Sequence, residues 1–167
     1  MEESLFRFRV GIIGGDANLT SRQKAKLISR IKQLNEIHNE FSEHYKFMDI
    51  NMICDTCSEK EIFSHISNTY SSKELRILIY PTPKTDVDID KCYIIHTTST
   101  KEVAISKVID NSDMVLFISS SESEIPCNSW AKEIPCLEVW KAAAKASSRN
   151  RRIQIFLPSG NRMNSYE

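Results

Sequence analysis

The chain has 167 residues, 22 basic against 22 acidic side chains, and only four glycines, well under the roughly 7% of average usage. Gly11, Gly14 and Gly15 fall within five positions and the fourth is Gly160. Neither a P-loop (GxxxxGK followed by Ser or Thr) nor a dinucleotide fingerprint (GxGxxG) can be written anywhere in the chain.

The zero net charge is unevenly built: residues 1–50 carry +1, residues 51–140 carry −6 and residues 141–167 carry +5. The basic C-terminal stretch (Lys141, Lys145, Arg149, Arg151, Arg152, Arg162) reads either as a solvated helix end complementing the helix dipole or as a patch for an anionic partner. Nucleic acid is not the expected partner. Hydrophobic residues make up 41% and charged residues 26%, a globular composition. No apolar run approaches the roughly 18 residues of a membrane span, so no membrane partner is expected. The opening MEESLFRFRV lacks the basic-then-apolar layout of a secretion signal, which makes the cytoplasm the expected location. One domain over residues 1–167 is the expectation at this length.

The five cysteines are odd in number and irregularly spaced, as suits reduced thiols. Cys54-Asp-Thr-Cys57 is a CxxC, open to a redox reading because a helix N-terminus lowers a thiol pKa, and equally to coincidence. No second pair completes a zinc site, and His38, His44, His65 and His96 show no ligand spacing. Neither a metal nor a cofactor is expected.

Hydrophobic periodicity divides the chain into alternating strands and helices. Phe8–Ile13 is a short apolar run closed by Gly14-Gly15-Asp16, a buried strand ending in a tight turn. Thr20-Ser21-Arg22-Gln23 is a capping box. It opens a helix with Leu27, Ile28, Ile31, Leu34 and Phe41 on its apolar face, while Arg22, Lys26 and Arg30 recur every fourth residue as a basic stripe. Met48–Cys54 alternates apolar and polar, which predicts a strand with one wetter face. Ser58-Glu59-Lys60-Glu61 predicts a second capping box and a helix through Ile62, Phe63, Ile66 and Tyr70. Leu75–Tyr80 is a third strand stopped by Pro81 and Pro83. An acidic loop over 84–91 leads to a short extra strand at Cys92–His96. Ser99-Thr100-Lys101-Glu102 predicts a third capping box, with Ala104, Ile105, Val108 and Ile109 on the buried side of its helix. Met114–Ile118 is the most apolar run and the best central strand. A serine-rich loop follows, then a helix opening either near Asn128 or Ser129 with a kink at Pro135, or at Pro135 itself. It carries Leu137, Trp140 and Ala144 on one face, and Ile153–Leu157 is a fifth strand.

Five strands alternating with helices predict a Rossmann-like three-layer α/β sandwich, a mostly parallel five-stranded sheet with helices on both faces. Ligands of such sheets bind beyond the carboxyl ends of the strands, where strand order reverses. Gly14 and Gly15 let the backbone approach a ligand, and the helix opened by Thr20 offers free N–H groups to a phosphate. Arg22 adds a charge-assisted bond to the same anion. The same glycines also serve a plain strand-to-helix turn. Asp16 suits sugar hydroxyls or the turn itself, and Asp55 follows the second strand, where Rossmann-type domains place a ribose-binding acid. Ser119, Ser120, Ser121, Asn128 and Ser129 supply hydroxyls and an amide in the later loop, and Glu133 is a carboxylate four residues beyond Ser129.

The strand ending Gly11-Ile-Ile-Gly14-Gly15, the helix opened by Thr20, and the run Ile109-Asp-Asn-Ser-Asp-Met-Val-Leu-Phe117 resemble the SLOG superfamily. That resemblance implies a Rossmann-like nucleotide-binding domain, either a sensor module or a LOG-type phosphoribohydrolase. LOG enzymes carry a PGGxGTxxE motif after the fourth strand, whereas Ser119 to Glu133 holds no glycine. The departure favours a non-catalytic sensor of a nucleotide or ribose-phosphate ligand, with no catalytic residue. Two alternatives stay open: an N-glycosidase using Glu133 or Asp16, and an interaction module without a ligand. A homo-oligomer through exposed strand edges is also left open.

Overall fold

The computed structural model describes residues 7–40, 47–71, 74–95, 97–121 and 136–164. In chain order these form β1 (Arg7–Ile13), α1 (Ser21–Glu40), β2 (Phe47–Met52), α2 (Cys57–Thr69), β3 (Leu75–Ile79), a 3-10 turn at Ile89–Lys91 and β4 (Tyr93–Ile94). They continue with α3 (Lys101–Asp110), β5 (Met114–Ile118), α4 (Cys136–Ser148), β6 (Arg152–Phe156) and β7 (Arg162–Met163). Among the described residues no helix is long and apolar enough to cross a membrane.

The strands form one sheet in the order β4-β3-β2-β1-β5-β6-β7. All neighbours are parallel except β6 and β7, which pair antiparallel through Ile155 with Met163 and Phe156 with Arg162. The α/β sandwich with a mostly parallel sheet is therefore present, with seven strands rather than five. The two additions are two-residue edge strands, too short for a periodicity to register; one of them, β4, falls within the extra strand expected at Cys92–His96.

Alternation along each strand sorts the core into two layers. Val10, Ile12, Met48, Ile50 and Met52 face Leu27, Ile31 and Leu34 of α1 and Ile62, Phe63 and Ile66 of α2. Ile13, Val115, Phe117, Ile153 and Ile155 face Ala104, Ile105, Val108 and Ile109 of α3 and Val139, Trp140, Ala143 and Ala146 of α4. Each fully buried large aliphatic side chain contributes about 1.5–3 kcal/mol. Phe41 lies outside the described residues, as does the side chain of Leu137.

Helix starts depart from expectation in two places. The cap of α2 is Thr56, whose hydroxyl accepts from Glu59 N, rather than Ser58; the cap of α3 is Thr100, accepting from Val103 N, rather than Ser99. In each case two polar residues compete for the cap. At α2 the contest is decided by tertiary contact, because the Ser58 hydroxyl donates to Gly15 O across the sheet at 2.7 Å. For α4, the stretch that would hold the Asn128 or Ser129 start and Pro135 lies outside the described residues, and the described helix runs from Cys136.

The expected wetter face of β2 is buried instead. Asp49 is only 2% exposed and is clamped by Arg7 of β1 and Arg76 of β3, each at 2.8 Å. Asn51 gives its amide to Asn111 O and the Ser112 hydroxyl, both at 3.0 Å. A polar residue on a strand reads as solvent-facing in sequence, but here the flanking strands supply the partners of Asp49 and the α3–β5 turn those of the Asn51 amide.

Candidate functional site

Strand order reverses between β1 and β5, since β1 lies between β2 and β5. The loops leaving these two strands, residues 14–20 and the segment from Ser119, therefore flank the crevice where parallel sheets bind ligands. They meet around a cavity of about 10 Å³ lined by Gly15, Ala17, Asn18, Gln23, Ser58, Ile118, Ser119 and Ser120. That is room for about one water molecule.

The β1 side of this floor is held by α2. A Cβ on Gly14 would lie 2.2 Å from the Ser58 hydroxyl, so glycine is required here by the approach of α2. Gly14 N donates to Glu59 Oε2 at 2.9 Å, and Asp55 N donates to Oε1 at 3.3 Å. Gly15 O accepts from both the backbone N and the hydroxyl of Ser58. Glu59 is fully buried. Burial, reinforced by the charge of Asp55, pushes its pKa up to about 7, against the opposing pull of Lys101 and the two backbone N–H groups.

The β5 side is held by α1. Thr20 caps the helix, with Gln23 N donating to its hydroxyl and Thr20 N donating to Gln23 Oε1, completing the capping box. The Gln23 amide then reaches across the crevice, donating to Ser119 O at 2.6 Å and to Phe156 O at 2.8 Å. The Thr20 hydroxyl donates to Pro158 O. Ser119 is fully buried, its hydroxyl accepting from Trp140 Nε1 at 3.0 Å and donating to Ser121 O at 2.8 Å. Ser121 N donates back to that hydroxyl.

The expected site residues thus divide. Gly15, Ser119 and Ser120 line the floor; of these Ser120 is exposed, and Asp16 lies exposed in the same loop as Gly15. Thr20 and Arg22 stand at the start of α1, with Arg22 exposed. Asp55 is one strand away. Lys101 binds its Oδ1, and the Thr82 hydroxyl donates to its Oδ2 at 2.9 Å, so this carboxylate ties β2 to the loop after β3 and to α3. Asn128, Ser129 and Glu133 lie outside the described residues.

Gln23 and Glu59 are the two side chains whose tertiary role the sequence does not announce. A capping-box glutamine keeps two amide hydrogens after its oxygen is used, and that surplus is the signal for Gln23. In the CxxC, Cys57 is exposed at the first residue of α2, whereas Cys54 is buried with φ 57° and its thiol is pushed well up by burial. A buried thiol of that kind is chemically inert. Among the described residues no group of three or more His, Cys, Asp or Glu side chains gathers to hold a metal ion. Comparisons with protein-family models, with curated proteins and with solved structures found no match for this chain.

Proposed function

We propose that this protein is a non-catalytic nucleotide-binding domain that senses a nucleotide or ribose-phosphate ligand at the β1–β5 switch. The observation that carries this reading is the reversal of strand order between the two loops, Gly14–Thr20 and the one beginning at Ser119, that carry its ligand groups. The resemblance to SLOG domains supports it. The floor holds about one water, so the ligand sits above it. There the exposed Asp16, Asn18 and Ser120 meet sugar and base, and the start of α1 meets the phosphate.

Glu59 supports the non-catalytic part of the reading. It is the described carboxylate whose pKa is raised, and its two oxygens are taken by Gly14 N and Asp55 N away from solvent. A general acid must reach the substrate atom it serves.

The test is a thermal-shift panel of nucleotides and ribose phosphates, followed by calorimetry on whichever compound raises the melting temperature. Gly15→Val is expected to abolish binding and leave the fold intact. Absence of any shift across the panel, or unchanged affinity in Gly15→Val, would overturn the site. Chromatographic release of free base from a bound nucleotide would reassign the protein as an N-glycosidase.

A further inference from the structure

Two cations of the α1 stripe, Lys26 and Arg30, and one of the basic C-terminal stretch, Arg162, line one pocket. The stripe on α1 places Lys26 and Arg30 against the β6–β7 hairpin, which brings Arg162, and a pocket of about 340 Å³ opens between them. Ser29, Asn161 and Asn164 supply neutral hydrogen-bonding groups to its wall, and its described lining contains no aspartate or glutamate. Arg152 lies close enough that it and Arg162 both act on Arg30, whose pKa is held below its usual value first by burial and then by these two like charges.

What marks this pocket is a described lining that holds Lys26, Arg30 and Arg162 and no carboxylate. Among the described residues Arg30 donates to uncharged partners, Gln154 Oε1 at 2.9 Å and Gln33 Oε1 at 2.8 Å. No ion pair among the described residues involves Lys26, Arg30, Arg152 or Arg162. Elsewhere in the chain Arg7 and Arg76 share Asp49, Arg9 pairs with Asp113, and Lys101 pairs with Asp55. Gathered cations without an anion repel one another, and the arrangement becomes favourable once an anion enters.

We propose that this pocket binds a small ligand bearing two or more phosphate groups, at a site separate from the β1–β5 switch. Arginine forks match phosphate oxygens in pairs, and the cations clustered at the pocket outnumber what a single monoanion neutralises. A volume of about 340 Å³ lies within the range of roughly 300–1,000 Å³ typical of small-molecule sites.

The probe is inorganic tripolyphosphate, titrated calorimetrically into the full chain at about 0.15 M salt, where screening leaves only close contacts effective. Saturable one-site binding is expected, weakened by about tenfold or more in the double variant Lys26→Gln with Arg162→Gln. Both side chains are exposed, and removing like charge leaves the melting temperature without ligand equal to or above that of the parent, which separates lost binding from lost folding. Gly15→Val is expected to retain tripolyphosphate binding. No binding by the parent chain, or equal binding by the double variant, would overturn the proposal. So would tighter binding of a short single-stranded RNA than of tripolyphosphate, which would assign the surface to nucleic acid.

Discussion

Two halves of the molecule treat charge differently. On the β1–β3 side, Asp55 and Glu59 are nearly or fully buried, and each is engaged by a lysine, a hydroxyl or a backbone N–H. On the α1–β6–β7 side, Lys26, Arg30 and Arg162 share a pocket without a carboxylate in its described lining. Engaged polar groups at strand ends join elements together, and their presence there is explained by the fold. Cations gathered with no ion pair among the described residues are not required by the fold, and an anion would complete the surface they form.

The first half breaks most severely at Glu59. Glu59→Ala leaves Gly14 N and Asp55 N without their acceptor and opens a cavity under the β1 loop. The expected loss, by urea denaturation at pH 5, is about 3–5 kcal/mol. A loss under about 1 kcal/mol would mean that water replaces the carboxyl group and that the loop does not depend on it.

Next in size is the pH dependence of the same group. Its folded pKa, about 7, lies above the usual 4.5, so between those values the folded chain holds a proton that the unfolded chain has released. Stability from this source is full below about pH 4.5 and is lost as pH rises through about 7, amounting to on the order of 3 kcal/mol. Melting curves between pH 4.5 and 8 should fall accordingly in the parent. In Glu59→Gln they should start lower, since an amide N–H then faces a backbone N–H, and should stay flatter across that window. Equal slopes would assign the effect to other groups.

Gln23 tests the seam between the halves. Gln23→Ala removes the amide that holds Ser119 O and Phe156 O to the start of α1, at an expected cost of about 2–3 kcal/mol in the same denaturation assay. A similar loss in Gln23→Glu, which keeps the shape and turns a donor toward two carbonyls into an acceptor, would show that the hydrogen bonds rather than the packing matter.

These side chains also mark where sequence reasoning stops. The alternation of strands and helices, the Thr20 capping box and the glycine turn are local patterns, and the folded chain keeps them. The reason for Gly14 is not local: forty-four residues separate it from Ser58, whose hydroxyl occupies the place of its missing Cβ. Asp49 likewise reads as a solvent-facing residue until Arg7 and Arg76 arrive from the flanking strands. Position after β2 gives Asp55 the place of a ribose-binding acid, and that rule says nothing of Lys101, which reaches the same carboxylate from α3. The basic stripe on α1 and the basic C-terminal stretch are each legible, but the meeting of Arg162 with Lys26 and Arg30 depends on β7, whose two residues leave no periodic signal.

The smallest expected effect bears most directly on the comparison between the halves. Gln33 is exposed on α1 and accepts from Arg30 Nη1 at 2.8 Å. Gln33→Glu keeps that geometry and adds a carboxylate, so the chain places an anion of its own beside Arg30. An exposed pair three residues apart on a helix contributes only about 0.2–0.5 kcal/mol, so a slight rise in melting temperature is expected, together with weaker tripolyphosphate binding. The two changes have one cause: the new carboxylate stabilises the empty pocket and competes with the ligand for Arg30. If stability rises while affinity is unchanged, Arg30 is a paired helix residue with no part in binding. If neither changes, the cations are already neutralised by solvent ions, and the contrast between the halves carries no functional meaning.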